Sequence, residues 1–256
     1  MKSTRLINRP AFLAGRSIGA AALAVACFAL ASVASAQTLY IDFGQNTLQM
    51  PSPNGSTYWN NIDNTMASSG GGASVGYSTV LVTDDNSNSG ITLTVTGLFA
   101  NENHTGTNSP TTSVDAFNYT NLGLDSLYIS GVSASAGFTL TGLDPTKQYV
   151  FTMFASRDSA GVRTADYTLT GANTDTVKLD AAQNATNVAT TVAITPDGSN
   201  TITFEMVQSA DNSVNFAYLG GMQITVIPEP ATTAGMLGLS VLLIVYLRRR
   251  HRRAAA

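Results

Sequence analysis

The chain of 256 residues contains one cysteine, one tryptophan and two histidines, and 11% of its residues are charged. Cys27 lies in an N-terminal apolar stretch, so the region beyond it must be stabilised by its core rather than by disulfides. His104 is the sole histidine between residues 37 and 227. A catalytic triad would depend on this imidazole, and no G-x-S-x-G motif positions a nucleophile. One histidine without cysteine also disfavours zinc.

Basic residues are scarce in the middle of the chain. Residues 37–227 contain four basic residues against fifteen acidic ones, because nine of the thirteen Lys and Arg residues lie at the two ends. A surface with this charge repels phosphate backbones, which predicts that the protein does not bind nucleic acid. Glycoside hydrolysis needs a pair of carboxylates. The fifteen acidic residues offer so many pairs that the sequence does not single one out. We therefore expect no enzymatic activity, and a secreted hydrolase is the least favoured alternative.

Residues 1–36 are typical of a secretory signal peptide. Basic residues precede an apolar, alanine-rich stretch, and Ala34 and Ala36 supply the small-x-small pattern that signal peptidase accepts. The pattern predicts cleavage before Gln37. The alternative is that this segment stays attached as an N-terminal anchor.

Apolar and polar residues alternate through residues 37–226, which predicts an all-β fold. Short runs rich in Val, Ile, Thr, Tyr and Phe are separated by Gly, Asn, Asp, Ser or Pro, without a sustained helical period or an internal repeat. This predicts a single antiparallel β-sandwich or jelly roll with one face of most strands solvated. The runs cover 38–44, 78–83, 90–97, 124–131, 137–142, 148–156, 165–171, 187–195, 200–207 and 215–226.

The stretch LDPTKQY (143–149) places a proline and then a tyrosine directly before a predicted strand. This resembles the tyrosine corner of immunoglobulin-like sandwiches, in which a tyrosine hydroxyl bonds to backbone upstream. The resemblance implies a structural role for Tyr149.

Two segments offer candidate binding sites. Asp84, Asn86 and Asn88 in DDNSNSG place oxygen ligands at alternate positions, as in the start of a calcium loop, but Gly90 comes one place late and Val95 stands where a bidentate Glu is expected. An Asx-rich hairpin turn is the favoured alternative, and no other cofactor is expected.

The second segment is TYWNNID, which combines aromatic and amide side chains suited to a sugar. Tyr58, Trp59 and Asn60 are the candidate contacts, although large aromatic residues are more often buried in the core. Arg157 and Arg163 flank the predicted turn DSAGV. A solvated surface position is the default expectation for both, and the alternatives are a hairpin edge or contact with a ligand.

The C-terminus begins with Pro228, Glu229 and Pro230 and continues with an uncharged apolar stretch over 231–247. As a helix this stretch would be about 26 Å long, at the short end of what crosses a bilayer. The basic residues that follow would stay cytoplasmic. These are Arg248, Arg249, Arg250, Arg252 and Arg253.

A Pro-Glu-Pro tripeptide, a short apolar helix and a terminal arginine cluster in this order resemble the PEP-CTERM sorting signal. The resemblance covers residues 227–256 and implies recognition by an exosortase, a membrane protease-transpeptidase of Gram-negative bacteria that make exopolysaccharide. Proline cannot continue a helix or pair within a central strand, so the tripeptide is expected to be extended and accessible. Residues 37–226 contain IDFG near their start, then WNN and later FASR. With these stretches they more loosely resemble uncharacterised β-sandwich domains of exported PEP-CTERM proteins.

These observations predict a non-enzymatic cell-surface or matrix protein, anchored transiently in the membrane, processed by an exosortase and associated with exopolysaccharide or biofilm. The alternative is a carbohydrate-binding module.

Overall fold

The computed structural model describes residues 36–63, 74–107, 109–131 and 134–228, together with individual helical positions between 238 and 251. Residues 36–230 form one compact unit, and the two chain ends are assigned to another. The strands of the first unit are Gln37–Gly44 (β1), Trp59–Asp63 (β2), Ser78–Val82 (β3), Asn88–Gly97 (β4), Asn101–Asn103 (β5), Ser126–Ser130 (β6), Ser135–Thr141 (β7), Lys147–Phe154 (β8), Thr164–Thr170 (β9), Thr174–Asp180 (β10), Ala189–Thr190 (β11), Ile202–Gln208 (β12), Phe216–Leu219 (β13) and Gly221–Pro228 (β14).

The strands form three sheets, in agreement with the predicted all-β fold. A five-stranded sheet has the order β11-β8-β14-β1-β2, a six-stranded sheet has the order β10-β9-β12-β7-β4-β3, and a three-stranded sheet has the order β13-β6-β5. The pairing is antiparallel except between β1 and β2, which run parallel. A 3₁₀ helix, Thr112–Phe117, and a short α-helix, Thr120–Leu124 (α1), lie between β5 and β6.

The main core lies between the five-stranded and six-stranded sheets. Phe43 on β1 stacks on Phe138 on β7 with ring centroids 5.7 Å apart, and Phe138 stacks on Phe204 on β12 at 4.6 Å. All three rings are buried. Alternate residues of each strand therefore meet between the sheets, as in an aligned sandwich.

A smaller core covers the opposite face of the five-stranded sheet. Met50, Trp59, Val114, Phe117, Leu122 and Phe154 make up this second cluster. The residues come from the loop after β1, from the 3₁₀ helix, from α1 and from strands β2 and β8. Alternation in β1 predicts one solvated face, and this is wrong for residues 41–44, because the second cluster and its flanking loops bury both faces.

The tyrosine corner is confirmed. Tyr149 begins the buried part of β8, and its hydroxyl accepts a hydrogen bond from the backbone N–H of Asp144 at 2.8 Å. This bond fixes the turn that leads into the strand.

Several predicted strands differ from the observed ones. The run 215–226 is two strands in different sheets, β13 and β14, and the run 187–195 contributes the two-residue strand β11. Strands β2, β5 and β10 were absent from the sequence prediction. Both β2 and β10 lie at sheet edges, and β5 has the sequence NEN, so none of them shows a clear apolar alternation.

The chain ends are described only in part. Strand β1 begins at Gln37, the first residue after the predicted cleavage, and residues 1–35 lie outside the described part. Strand β14 ends at Pro228, which pairs with Lys147, so this strand runs past the predicted boundary at residue 226. The predicted helix over 231–247 falls largely outside the described residues. Within the described positions, no helix combines the length and the apolar character needed to cross a bilayer.

Candidate functional site

Trp59 lies in the smaller core. Its side chain is 3% exposed, and its ring packs against Tyr40 at 5.0 Å and edge-on against Tyr119 at 6.1 Å. A sugar platform needs an exposed ring face, so this burial favours the core-packing interpretation of Trp59. Tyr119, which is 39% exposed, is the surface aromatic of this group.

Asn60 connects three strands. Its side-chain amide donates to the carbonyls of Tyr40 and Val82, both at 2.9 Å, and its oxygen accepts from the Val82 N–H at 2.8 Å. These bonds use the polar atoms that would contact a sugar hydroxyl. Tyr58 is half-buried, and its backbone N–H donates to the Asp84 carbonyl. The structure therefore gives Asn60 a structural role.

The segment containing Asp84, Asn86 and Asn88 is the hairpin turn between β3 and β4. The Asp85 carboxylate accepts from the Ser87 N–H at 3.0 Å, the Asn88 side chain accepts from the Gly90 N–H at 2.8 Å, and Asn86 has a positive φ of 68°. These are the local bonds of an Asx-rich turn, which favours the hairpin alternative. Across the described residues, no three acidic, histidine or cysteine side chains are grouped to hold a metal ion.

The two candidate arginines have different surroundings. Arg157 is paired with Thr105 across the loops, since its guanidinium donates to the Thr105 carbonyl at 2.7 Å. Arg163 is 8% exposed and lies over the rings of Phe216 and Tyr218, with its guanidinium carbon 6.0 and 5.9 Å from their centroids. The expectation of a solvated surface is therefore wrong for Arg163, because the end of the three-stranded sheet covers it.

One face of the three-stranded sheet is aromatic. Tyr128 lies directly across from Tyr218 on β13, and from Asn101 on β5 on its other side. The Tyr128 ring contacts Phe216 at 5.7 Å and Tyr218 at 5.8 Å. Tyr128, Phe216 and Asn101 are half-buried, whereas Tyr218 is buried. We call Asn101, Tyr128, Arg163, Phe216 and Tyr218 the aromatic face.

Arg163 holds the end of the aromatic face together. Its guanidinium donates to the Tyr218 hydroxyl at 3.3 Å and to the Ser159 hydroxyl at 3.0 Å. Its buried Nε has no hydrogen-bond partner among the described residues. A guanidinium stacked on aromatic rings keeps its charge and its planar set of donors in a partly apolar setting. Half-buried rings beside such donors and an amide can bind a ligand with both apolar faces and hydroxyl groups.

Sequence reasoning selected Arg163 but missed Tyr128, Phe216 and Tyr218. The available signal was FAY at 216–218, in which two aromatic residues stand two positions apart and so share a strand face. Their juxtaposition with Tyr128 depends on pairing between β13 and β6. His104 is exposed in its loop.

The sorting motif is described only at Pro228. Glu229 and Pro230 lie outside the described residues, as do Ala34, Arg249, Arg252 and Arg253. Arg248 and Arg250 are described as exposed helical positions. The sorting role of these residues stays a prediction.

Comparisons with known proteins give distant structural likenesses. No family model matches the chain, and no curated protein matches it. The extracellular domain of ANXUR1 from Arabidopsis thaliana is 12% identical with a TM-score of 0.46, and the match covers 75% of this chain and 49% of that one. The ANX2 ectodomain from Arabidopsis thaliana is 13% identical with a TM-score of 0.47, covering 76% of this chain and 50% of the other.

A carbohydrate-binding module of family 35, from Cellvibrio japonicus Abf62, is 10% identical with a TM-score of 0.31. That match covers 54% of this chain and 98% of the module. The chain spans about half the length of the two plant ectodomains. All three TM-scores are below 0.5.

Proposed function

We propose that this protein is an exported, non-enzymatic surface protein whose β-sandwich binds carbohydrate through the aromatic face. The observation that carries the proposal is the pair of half-buried rings, Tyr128 and Phe216, at the edge of the main core beside the buried Arg163 guanidinium. A pyranose presents an apolar face of C–H groups and a rim of hydroxyls. The rings suit the first, and the amide of Asn101 and the donors around Arg163 suit the second.

The composition of the face favours a neutral sugar over other ligands. Arg163 is held by aromatic rings and hydroxyls, and its contacts to Tyr218 and Ser159 occupy part of its donor set. Amide, hydroxyl and guanidinium groups are donors to sugar hydroxyls, whereas a polyanion would meet an acidic domain. The exopolysaccharide of the bacterium that produces this protein is therefore the first ligand to test.

The test is binding of the purified full chain to a glycan array and to host exopolysaccharide. We expect Tyr128→Ala and Phe216→Ala each to weaken binding about tenfold or more, because each removes an aromatic anchor worth about 1.4 kcal/mol or more. Tyr119→Ala is the matched control, since it removes an exposed tyrosine whose ring contacts Trp59 in the smaller core. If Tyr119→Ala lost glycan binding and Tyr128→Ala kept it, the sugar site would lie at the Tyr58–Trp59 segment instead of the aromatic face. An absence of any glycan binding would refute this part of the proposal.

We further propose that the C-terminal segment sends the protein to the cell surface through an exosortase. The support is the sequence order of Pro228-Glu229-Pro230, an apolar stretch and the arginine cluster. Pro228 ends β14 opposite Lys147, so the next two motif residues follow directly after the last strand.

For sorting, we expect Glu229→Ala to leave full-length protein in the inner membrane, because it removes the charged residue of the recognised tripeptide. The measurement is cell fractionation with immunoblotting of the host. Glu205→Ala is the control, since Glu205 is an exposed glutamate in the middle of β12. Normal processing of Glu229→Ala would count against recognition of the tripeptide.

A further inference from the structure

A group of acidic side chains lies on the covered face of β1 and β2. Leu39, Ile41 and Phe43 point into the main core, so Asp42 points to the opposite face. The parallel register places Asn61 beside Asp42 and Asp63 beside Gly44. This face lies under the smaller core rather than in solvent, and Asp42 and Asp63 are buried.

Asp125 comes to the same face from the end of α1. A Cβ atom at position 44 would overlap the Asp125 carboxyl group, so that carboxyl occupies the space where a side chain of residue 44 would stand. The Asp125 Oδ2 accepts from the Gln45 N–H at 2.6 Å. Gly44 therefore allows a third aspartate to lie beside Asp42.

Each of these two aspartates has one satisfied oxygen and one unsatisfied oxygen. The Asp42 Oδ2 accepts from the Met50 N–H at 2.7 Å. The Oδ1 atoms of Asp42 and Asp125 are buried and have no hydrogen-bond partner among the described residues. The two residues are 2% and 0% exposed. Leaving a buried charged acceptor unpaired is costly, so these oxygens indicate a ligand.

Two further oxygens at this site share the same property. Asn61 donates through Nδ2 to the Met50 carbonyl at 3.0 Å, and its Oδ1 is buried without a partner among the described residues. The Glu102 Oε2 on β5 is also buried without such a partner. Glu102 and Asp125 interact electrostatically, and so do Asp42 and Asp63. Asp42, Asp125, Asn61 and Glu102 thus each have one buried oxygen without a hydrogen-bond partner among the described residues.

No lysine or arginine forms a salt bridge with Asp42 or Asp125 within the described part of the chain. The ion pairs found there join Lys147 to Asp144 and Lys178 to Asp166 and Asp211. His104 is a neighbour of Glu102 and is exposed in its loop. Asp42 and Asp125 therefore have no basic partner among the described residues.

We propose that the Oδ1 atoms of Asp42, Asp125 and Asn61 bind a calcium ion. Calcium takes carboxylate and amide oxygens together with backbone carbonyls and water, and it accepts irregular geometry. The set has neither thiolate nor imidazole, which disfavours zinc and copper. No three acidic, histidine or cysteine side chains of the described residues are grouped to hold a metal ion, so the proposed set consists of two aspartates and one amide.

This site would stabilise the fold at the junction of three segments. A cation between Asp42 and Asp125 would link β1 to the end of α1, and Asn61 would add edge strand β2. It is separate from the β3–β4 turn, whose Asp85 and Asn88 side chains already accept local backbone donors. It is also independent of the aromatic face, so failure of one proposal leaves the other intact.

The test compares the purified full chain in excess EDTA and in calcium at pH 7.5. We expect calcium at about 100 times its Kd to raise the unfolding temperature by about 5–10 °C. Terbium alone, used as a luminescent substitute for calcium, should emit on excitation of Trp59, which lies two residues before Asn61 on the same strand face. Added calcium should displace terbium and quench this emission.

The variants Asp42→Asn and Asp125→Asn should lose both the calcium shift and the terbium emission. Asp84→Asn is the control and should keep both signals. The proposal is overturned if the wild-type chain shows neither signal, or if Asp84→Asn loses them while the other two variants keep them. Should Asp42→Asn or Asp125→Asn fail to fold, the wild-type comparison between calcium and EDTA still decides.

Discussion

Replacing Phe138 with alanine is expected to lower the free energy of unfolding by about 3–5 kcal/mol. Phe138 is fully buried and stacks between Phe43 on the facing sheet and Phe204 on the neighbouring strand, with centroid distances of 5.7 and 4.6 Å. Its removal would open a cavity that spans both sheets of the sandwich. Neighbouring aromatic rings are too rigid to fill such a space, so most of the lost contact energy would not be recovered.

The measurement is chemical denaturation of the purified chain followed by tyrosine and tryptophan fluorescence. Thr139→Ala is the control, because Thr139 is the next residue of the same strand and is half-buried on the outer face. We expect this change to cost about 0.5 kcal/mol or less. Similar costs for the two variants would mean that the Phe43–Phe138–Phe204 stack is not a main support of the core.

In EDTA, the unfolding temperature of the chain is expected to fall by about 10 °C or more between pH 5 and pH 8. Burial raises the pKa of Asp42 from 3.8 to about 7, with a further rise from the Asp63 carboxylate and an opposing hydrogen bond from Met50. Burial and the charge of Asp42 raise the pKa of Asp125 to about 8. Burial also raises the pKa of Glu102.

The sign of this pH dependence follows from which state, folded or unfolded, binds the proton more tightly. A raised pKa in the folded state means that folding favours the protonated acid, so this stabilisation is complete below the unfolded value of 3.8. It is lost as the pH rises through about 7 and 8, where folding would bury two charged carboxylates. In the described part of the chain, Lys147 and Lys178 form ion pairs with other aspartates, Asp144 and Asp166. These lysines therefore do not offset the charges of Asp42 and Asp125.

Circular dichroism melts at several pH values would measure this dependence. Asp42→Asn and Asp125→Asn should each flatten the profile, whereas Glu205→Gln, which removes an exposed charge on β12, should leave it unchanged. A wild-type profile that is flat between pH 5 and pH 8 in EDTA would show that these two acids stay charged at low cost.

Much of the sandwich could be predicted from local pattern. In β9 and β12, alternate residues such as Tyr167 and Leu169 are buried, and the residues between them face outward, as the period of two requires. Pattern failed at β10, where Thr, Asp and Lys occupy most positions of an edge strand. It also failed at 215–226, because Gly220 separates two strands that belong to different sheets.

The candidate sites were less accessible from sequence. TYWNNID has the composition of a sugar site, but the burial of Trp59 and the three backbone bonds of Asn60 explain the same residues structurally. Tyr128 and Phe216 lie far apart in the chain, and no local signal joins them. Their contact depends on the register of β6 and β13, which is a property of long-range pairing.

The sequence by itself determined the all-β class, the positions of most strands and the Tyr149 corner, because these depend on the alternation and turn chemistry of neighbouring residues. The predicted PEP-CTERM signal likewise rests on contiguous residues at the chain end. Only the tertiary structure decided that a second core covers β1 and β2. Alternation in β1 predicts that Asp42 faces solvent. Because the second core packs over it, Asp42 is instead a buried acid beside Asp125. Burial removes water from both carboxylates, and whether a side chain loses its water depends on what packs above it rather than on its sequence neighbours.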